Sequence, residues 1–244
     1  MTDIDSGSWV RSYRPASGGV RLFCFPHAGG SASYFYPWSR SLRDVEVLAL
    51  QYPGRQDRGA EPYLRNVPEL ADRIHEALAP QLDEPYAFFG HSMGAVLAFE
   101  VAARVARDGL PGPVHLFASG RRAPSRTRYE DLHRASTATL VAEMRALGGT
   151  DPRVLADPDL LELVLPTVRA DYTAVETYRY APTPPLSCDV TVLIGDTDPK
   201  VNLDDAQAWA QHTRGRFCLR TFPGGHFYLE ECQAGVLDVI TSAL

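Results

Sequence analysis

Lysine is almost missing from these 244 residues: Lys200 is its one occurrence, and every other Lys/Arg position is arginine. A surplus of positive charge is missing too, because 30 acidic side chains face 24 basic ones, for a formal charge of -6. General affinity for nucleic acid needs a clustered basic surface that neutralises phosphates, so polyanions are excluded as a partner class. Nowhere does an uninterrupted apolar run approach the roughly 18 residues of a membrane span. The opening residues, MTDIDSGSW, are acidic and polar and lack the apolar centre of a signal peptide. The expectation is a soluble, cytoplasmic protein with no membrane association. Cysteine is scarce: Cys24, Cys188, Cys218 and Cys232 are far apart, and three of them lie in or beside apolar runs, where a thiol acts as a small hydrophobe. Neither a disulfide framework nor a metal site is expected. Internal repeats and low-complexity linkers are absent as well, which points to one domain over residues 1–244.

What is present is a globular composition, 45% hydrophobic, in a chain long enough to bury a substantial core. Short apolar runs recur: VRLFCF (20–25), VEVLAL (45–50), YAFF (86–89), VHLFAS (114–119), VTVLI (190–194) and FCLRTF (217–222). Helical patterns fill the intervals. Near-continuous apolar strands alternating with helices imply a mostly parallel central sheet covered on both faces, so the predicted fold class is α/β. Between about 125 and 180 the rhythm changes, with two helical patterns in succession and no strand between them. Leu140, Met144 and Leu147 are spaced i, i+4, i+7, and so are Leu161, Leu165 and Val168. A helical insertion is predicted there. Gly148-Gly149 punctuates it, and Pro166 is expected to kink or end its second helix.

Ligands of a parallel sheet collect at the carboxyl ends of its strands, so the residues just after each run carry most weight. YAFFGHSMGAVLAFE (86–100) sets Ser92 in a Gly-x-Ser-x-Gly turn between strand and helix. Gly90 and Gly94 have no β-carbon and allow the sharp turn that presents the hydroxyl. Ser92 is therefore the candidate nucleophile. A serine hydroxyl needs a base, itself oriented by an acid. Of seven histidines, His226 in FPGGHFYLE follows the last strand-like run on a Gly-Gly loop and is the candidate base. His91 is held inside the turn, and His27 is read as supporting its own loop. His75, His115, His133 and His212 fall in helix or strand patterns that suit surface or satisfied core positions.

For the acid, VTVLIGDTDPK offers Asp196 and Asp198, in the chain order Ser, Asp, His of α/β-hydrolases. Asp198 precedes Pro199 and must be extended or in a turn, whereas Asp196 beside Gly195 suits a turn former. Both remain open on these grounds. A tetrahedral intermediate needs two backbone amides already aimed at its oxyanion. Met93, the residue after the nucleophile, supplies one, and the Ala28 amide in FPHAGGSA (25–32) is the candidate for the other.

With these residues assembled, the chain resembles the type II thioesterases that accompany polyketide and nonribosomal peptide synthetases, α/β-hydrolases related to fatty-acid synthase thioesterase domains. The likeness is carried by LFCFPHAGGSASYF, LQYPGRQDR, FFGHSMGAVLAFE, the LPTVRADYTAVETYRY region, VLIGDTDPKV and FPGGHFYL, in order over nearly the whole chain. General lipases and esterases lack the pairing of YPGRQDR with FPHAGG. Carried over by motif, the family triad falls on Ser92, Asp198 and His226, which favours Asp198 over Asp196. The resemblance implies hydrolysis of acyl groups from the phosphopantetheine arm of acyl or peptidyl carrier protein domains, with no cofactor of the protein's own. A monomer is implied as well. The helical insertion then becomes a lid whose Leu140, Met144, Leu161 and Leu165 line an acyl chamber or pack the lid on the core. Arg121, Arg122, Arg126 and Arg128 form a basic cluster that would either dock an acidic carrier protein or simply face solvent. A general carboxylesterase or lipase acting on oxygen esters would share the triad but not the two loops. A hydrolase-fold binding protein would lack part of the catalytic set, and a thioesterase that releases a finished product is a third alternative.

Overall fold

The computed structural model describes residues 9–14 and 19–244. Strands β1 (Val10–Ser12), β2 (Val20–Phe25), β3 (Val45–Leu50), β4 (Tyr86–His91), β5 (His115–Ser119), β6 (Asp189–Gly195) and β7 (Phe217–Phe222) pair into a seven-stranded sheet. Helices α1 (Tyr36–Ser41), α2 (Val67–Leu78), α3 (Met93–Arg107), α4 (Thr137–Leu147), α5 (Pro152–Ala156), α6 (Pro158–Thr177), α7 (Leu203–Gln207), α8 (Tyr228–Glu231) and α9 (Gln233–Ala243) occupy the connections. The strand order is β1-β3-β2-β4-β5-β6-β7, and every neighbouring pair is parallel except β1 with β3. Each apolar run of the sequence became a strand, and YAFF extends through Gly90 and His91. β1 was not anticipated, because its three residues, VRS, contain no buried position and so no apolar rhythm.

Successive residues of a strand point to opposite faces, and the two faces fill different cores. Phe23, Phe25, Phe88, Leu116, Val190 and Val192 pack with α2 and α3 on one side. Leu22, Cys24, Ala87, Phe89, Phe117 and Leu193 pack with α1 and α9 on the other. Being covered twice explains why these strands read as continuous apolar runs rather than alternating ones. The central strand β4 is buried along its whole length, so whatever follows it is anchored by the most rigid part of the molecule.

The insertion is helical, as expected, and consists of α4, α5 and α6. Ser136 starts α4 by accepting the Thr139 amide at 3.2 Å, and Gly148, at φ 81°, follows its last turn. Leu140, Met144, Leu155 and Val168 bury a small core of their own, with Leu161 and Leu165 packed against it. Pro166 does not end the second helix, which corrects that half of the expectation: α6 continues from Pro158 to Thr177 with Pro166 inside it. Proline removes one N–H and frees the Glu162 carbonyl, but Glu162 and Pro166 are both exposed, so water can take that carbonyl. Buried Thr167, Val168 and Asp171 hold the helix to the core immediately beyond it. No helix among the described residues is long and apolar enough to cross a membrane.

Candidate active site

The glycines of the turn are demanded by close contact. A β-carbon at Gly90 would lie 2.2 Å from the Gly94 carbonyl oxygen, and one at Gly94 would lie 2.0 Å from the Phe25 carbonyl oxygen. Only bare backbones let α3 start this near to β2 and β4. Between them Ser92 adopts φ 56°, ψ -115°, a conformation that costs a side-chain-bearing residue on the order of 1–3 kcal/mol. Its amide donates to the Ser119 carbonyl at 2.8 Å, and its carbonyl accepts the Ala95 amide at 3.1 Å, so the surrounding backbone holds the strain.

The hydroxyl so presented meets its predicted partners. Ser92 Oγ is 3.0 Å from His226 Nε2, and His226 Nδ1 is 2.9 Å from Asp198 Oδ2. An ionised carboxylate can only accept, so the His226 proton belongs on Nδ1 and Nε2 is left to accept from the serine. The Asp198 side chain is fully buried, and its second oxygen accepts the Lys200 amide at 2.8 Å. Asp196 is exposed and accepts the Gly224 amide at 2.9 Å, a loop-forming contact on the stretch that leads to His226. The two aspartates thus differ in burial and partner: Asp198 contacts His226, and Asp196 contacts the Gly224 amide. His226 lies on the loop after β7, and Gly120, at φ 59°, passes so close beneath it that a β-carbon there would sit 3.4 Å from His226 Cε1 and 2.5 Å from His91 Cε1.

Two further imidazoles surround His226 and are kept uncharged. Burial pushes His27 down to about 3, and the neighbouring His226 and Arg55 add to the shift. Burial likewise pushes His91 well below its ordinary value, with His226 and His27 contributing. The His91 and His226 rings are 5.0 Å apart, and those of His27 and His91 6.0 Å. Of the three, His226 is the one in contact with a carboxylate. His91 Nδ1 instead meets Ser119 Oγ at 2.9 Å, which contacts the Tyr228 hydroxyl at 2.6 Å. The remaining histidines are structural: His75 contacts Asp108, His115 contacts Thr191, His133 contacts Glu176 and His212 contacts Ser125.

Met93 opens α3, in the first turn, where amides have no acceptor within the helix. Ala28 lies on the loop after β2, where the Gly29 amide is taken by Asp171 and the Gly30 amide by the His27 carbonyl. Beside Ala28 and Phe227 opens a cavity of about 460 Å³ between this loop and the insertion. Met144, Leu147, Val154, Val164 and Val168 give it an apolar side, and Ser31, Ser33 and Thr150 a polar one. Met144 and Val168 both line this cavity and pack in the insertion's own core, whereas Leu140, Leu161 and Leu165 belong to that core and not to the cavity wall.

The arginine cluster divides. Arg122 is buried and donates to Glu130 Oε2 at 2.6 Å, so it does not belong to any docking face. Burial draws Arg121 down to about 10. Arg126 and Arg128 are exposed. Burial alone would raise the Glu130 carboxyl, but Lys200 and Arg122 outweigh it and hold it down to about 2. Lys200 also pairs with Glu143 on α4, so the same residue whose amide supports Asp198 ties the insertion down through its ammonium. Sequence reasoning missed this network, and also a buried pair of Arg55 with Asp171. No pattern in a single chain joins residues 116 positions apart.

Hydroxyl, imidazole and carboxylate in line at the carboxyl ends of β4 and β6, with a helical insertion above them, define a serine hydrolase of the α/β-hydrolase class. Residues 20–244 match the Thioesterase domain family, and the chain belongs to it. It is 50% identical over 238 residues to the thioesterase PikA5 of Streptomyces venezuelae, covering 95% of this chain and 85% of that one. The solved type II thioesterase BorB from the borrelidin biosynthetic cluster superposes with a TM-score of 0.91 at 47% identity, over 97% of each chain. RedJ, the thioesterase from the prodiginine biosynthetic pathway of Streptomyces coelicolor, superposes with a TM-score of 0.88 at 37% identity, over 95% of each chain. The expected kinship with type II thioesterases of polyketide and nonribosomal peptide pathways therefore holds.

Proposed function

We propose that this thioesterase hydrolyses acyl groups from the phosphopantetheine arm of carrier proteins, clearing stalled or misloaded units so that the free thiol is regenerated. The observation that carries the reading is the hydrogen-bonded line Ser92–His226–Asp198 beside a cavity of about 460 Å³, within the roughly 300–1,000 Å³ usual for small-molecule sites. In the first half-reaction His226 Nε2 takes the Ser92 proton while Oγ attacks the thioester carbonyl. The amides of Met93 and Ala28 hold the oxyanion, and the pantetheine sulfur departs with the proton that His226 returns. In the second, His226 deprotonates a water that attacks the acyl-serine, and the acid leaves as Ser92 is reprotonated. Asp198 keeps the imidazole oriented and offsets its charge in both halves. Thiolate is a good leaving group, so release of the acyl-enzyme is the slower half.

The reading asks for no cofactor of the protein's own, because the prosthetic arm arrives on the substrate. It places a monomer in the cytoplasm, with exposed Arg126 and Arg128 available to an acidic carrier domain. The test is intact-mass spectrometry of one carrier protein loaded with varied acyl chains, incubated with wild type and with Ser92→Ala. Wild type should remove the acyl mass and Ser92→Ala should not. Loss of the acyl mass in both samples would overturn the assignment, and faster turnover of nitrophenyl esters than of acyl-carrier thioesters would favour a general esterase.

A further inference from the structure

The YPGR stretch, which has no part in the triad, lies directly behind the loop that carries Ala28. Arg55, buried, forks three ways: Nε donates to the Gly30 carbonyl at 2.8 Å, Nη1 to the Pro53 carbonyl at 2.8 Å, and Nη2 to Asp171 Oδ2. Asp171 is equally buried, and the same Oδ2 accepts the Gly29 amide at 2.7 Å. One ion pair therefore holds Gly29 by its N–H and Gly30 by its C=O. Gly30 in turn donates its own amide to the His27 carbonyl at 2.9 Å. That carbonyl and the Ala28 N–H belong to one planar peptide, so fixing the oxygen fixes where the Ala28 amide points.

Asp171 is not part of the loops it organises; it comes from α6, within the insertion. The same face of α6 touches both loops. Thr167 Oγ1 donates to the Gly54 carbonyl at 3.2 Å, and Val168 Cγ2 lies 2.8 Å from where a β-carbon on Gly29 would be. Residues 167, 168 and 171 share one side of a helix, so the side seated on the core is the side that grips the loop. An oxyanion donor helps only if it is aimed before the charge develops.

We propose that Arg55 and Asp171 are positioning residues for the oxyanion hole, and that through Asp171 the helix α6 aims the Ala28 amide only when the insertion is seated. This rests on the acyl-transfer reading of Ser92, but it is tested separately. Two readouts serve: kcat and KM for a small acyl N-acetylcysteamine thioester, and the rate at which a fluorophosphonate labels Ser92, since its phosphoryl oxygen takes the oxyanion's place. Arg55→Lys keeps the charge opposite Asp171 but replaces the planar fork with a single ammonium, and Asp171→Asn keeps an acceptor for Gly29 but not the ion pair. Each should lower kcat and the labelling rate together by about 100-fold, with KM within about twofold of wild type. The pH midpoint of the acid limb should stay in place, because the triad is untouched. In Arg55→Met/Asp171→Leu neither charge is left alone in the interior, so the melting temperature should recover while both rates remain low.

Rates within about threefold of wild type in folded Arg55→Lys, or rates restored along with stability in the double variant, overturn the proposal. So does a raised KM at unchanged kcat, which would assign the pair to substrate binding. If a single variant fails to fold, the double variant decides. A wild type that is labelled at Ser92 but leaves acyl-carrier thioesters intact would sink the proposed function, and the labelling rates would still judge this inference.

Discussion

Acidification from pH 7 to pH 5 should remove stability from this protein that a His27→Gln variant does not lose. His27 is buried against Gly30, Tyr34 and Phe227, and burial pushes its imidazole down to about 3 from an ordinary value near 6.5. Between those values the unfolded chain binds a proton that the folded protein refuses. The ring's contribution is therefore complete above pH 6.5 and is lost progressively as pH falls towards 3. At pH 5 the gap of 1.5 units corresponds to about 2 kcal/mol. For a chain of this size that lowers Tm by roughly 4–8 °C. Differential scanning calorimetry of both proteins at pH 7 and pH 5, in matched salt, measures it. Burial, the larger cause at His91, acts on that ring in both proteins, and the carboxylates and the histidines remote from His27 titrate alike, so the difference between the two Tm drops reports chiefly on His27. Equal drops, or a larger drop in the variant, would refute the burial argument. On the proposed mechanism a neutral His27 also matters to the site, because a cation there would oppose the charge that His226 takes up in turnover.

Asp198→Asn turns an amide towards His226 Nδ1 and favours the wrong tautomer, so steady-state kcat should fall by about 10,000-fold with the fold intact by circular dichroism. Asp196→Asn loses only part of a contact with the Gly224 amide and should stay within a few-fold of wild type; equal losses would mean the acid is misassigned. Gly94→Ala drives a methyl group to 2.0 Å from the Phe25 carbonyl, where no flexible side chain can yield, and thermal melting should show a protein that is largely unfolded or gravely weakened. Reversing the exposed charges in Arg126→Glu/Arg128→Glu should raise KM for acyl-carrier protein several-fold while sparing a small thioester; an equal rise for both substrates would exclude docking there.

Much of the fold was legible because both sheet faces are covered, which turns strands into apolar runs that composition alone exposes. β1 was not, since a three-residue edge strand without a buried side chain has no such signature. The candidate nucleophile and base were readable from local grammar, a turn with glycines on either side and a loop after the last strand. The acid was not separable from Asp196 by spacing. What favours Asp198 is that the chain buries it against His226 and leaves Asp196 at the surface, a tertiary outcome. Arg122 looked like a surface charge because the sequence cannot reveal that Glu130 waits for it inside. Pro166 does not end its helix for a related reason: local propensity allows a stop there, and packing beyond it continues the helix.

The scarcity of lysine has a practical corollary. Amine-reactive dyes, resins and cross-linkers have one side-chain target in this protein, Lys200, and its ammonium is engaged with Glu130 and Glu143. Acylating it would strip α4 of its anchor next to the stretch that holds Asp198. Side-chain conjugation by amine chemistry would thus cost the protein this anchor, whereas the exposed Tyr129 is a handle outside those ion pairs.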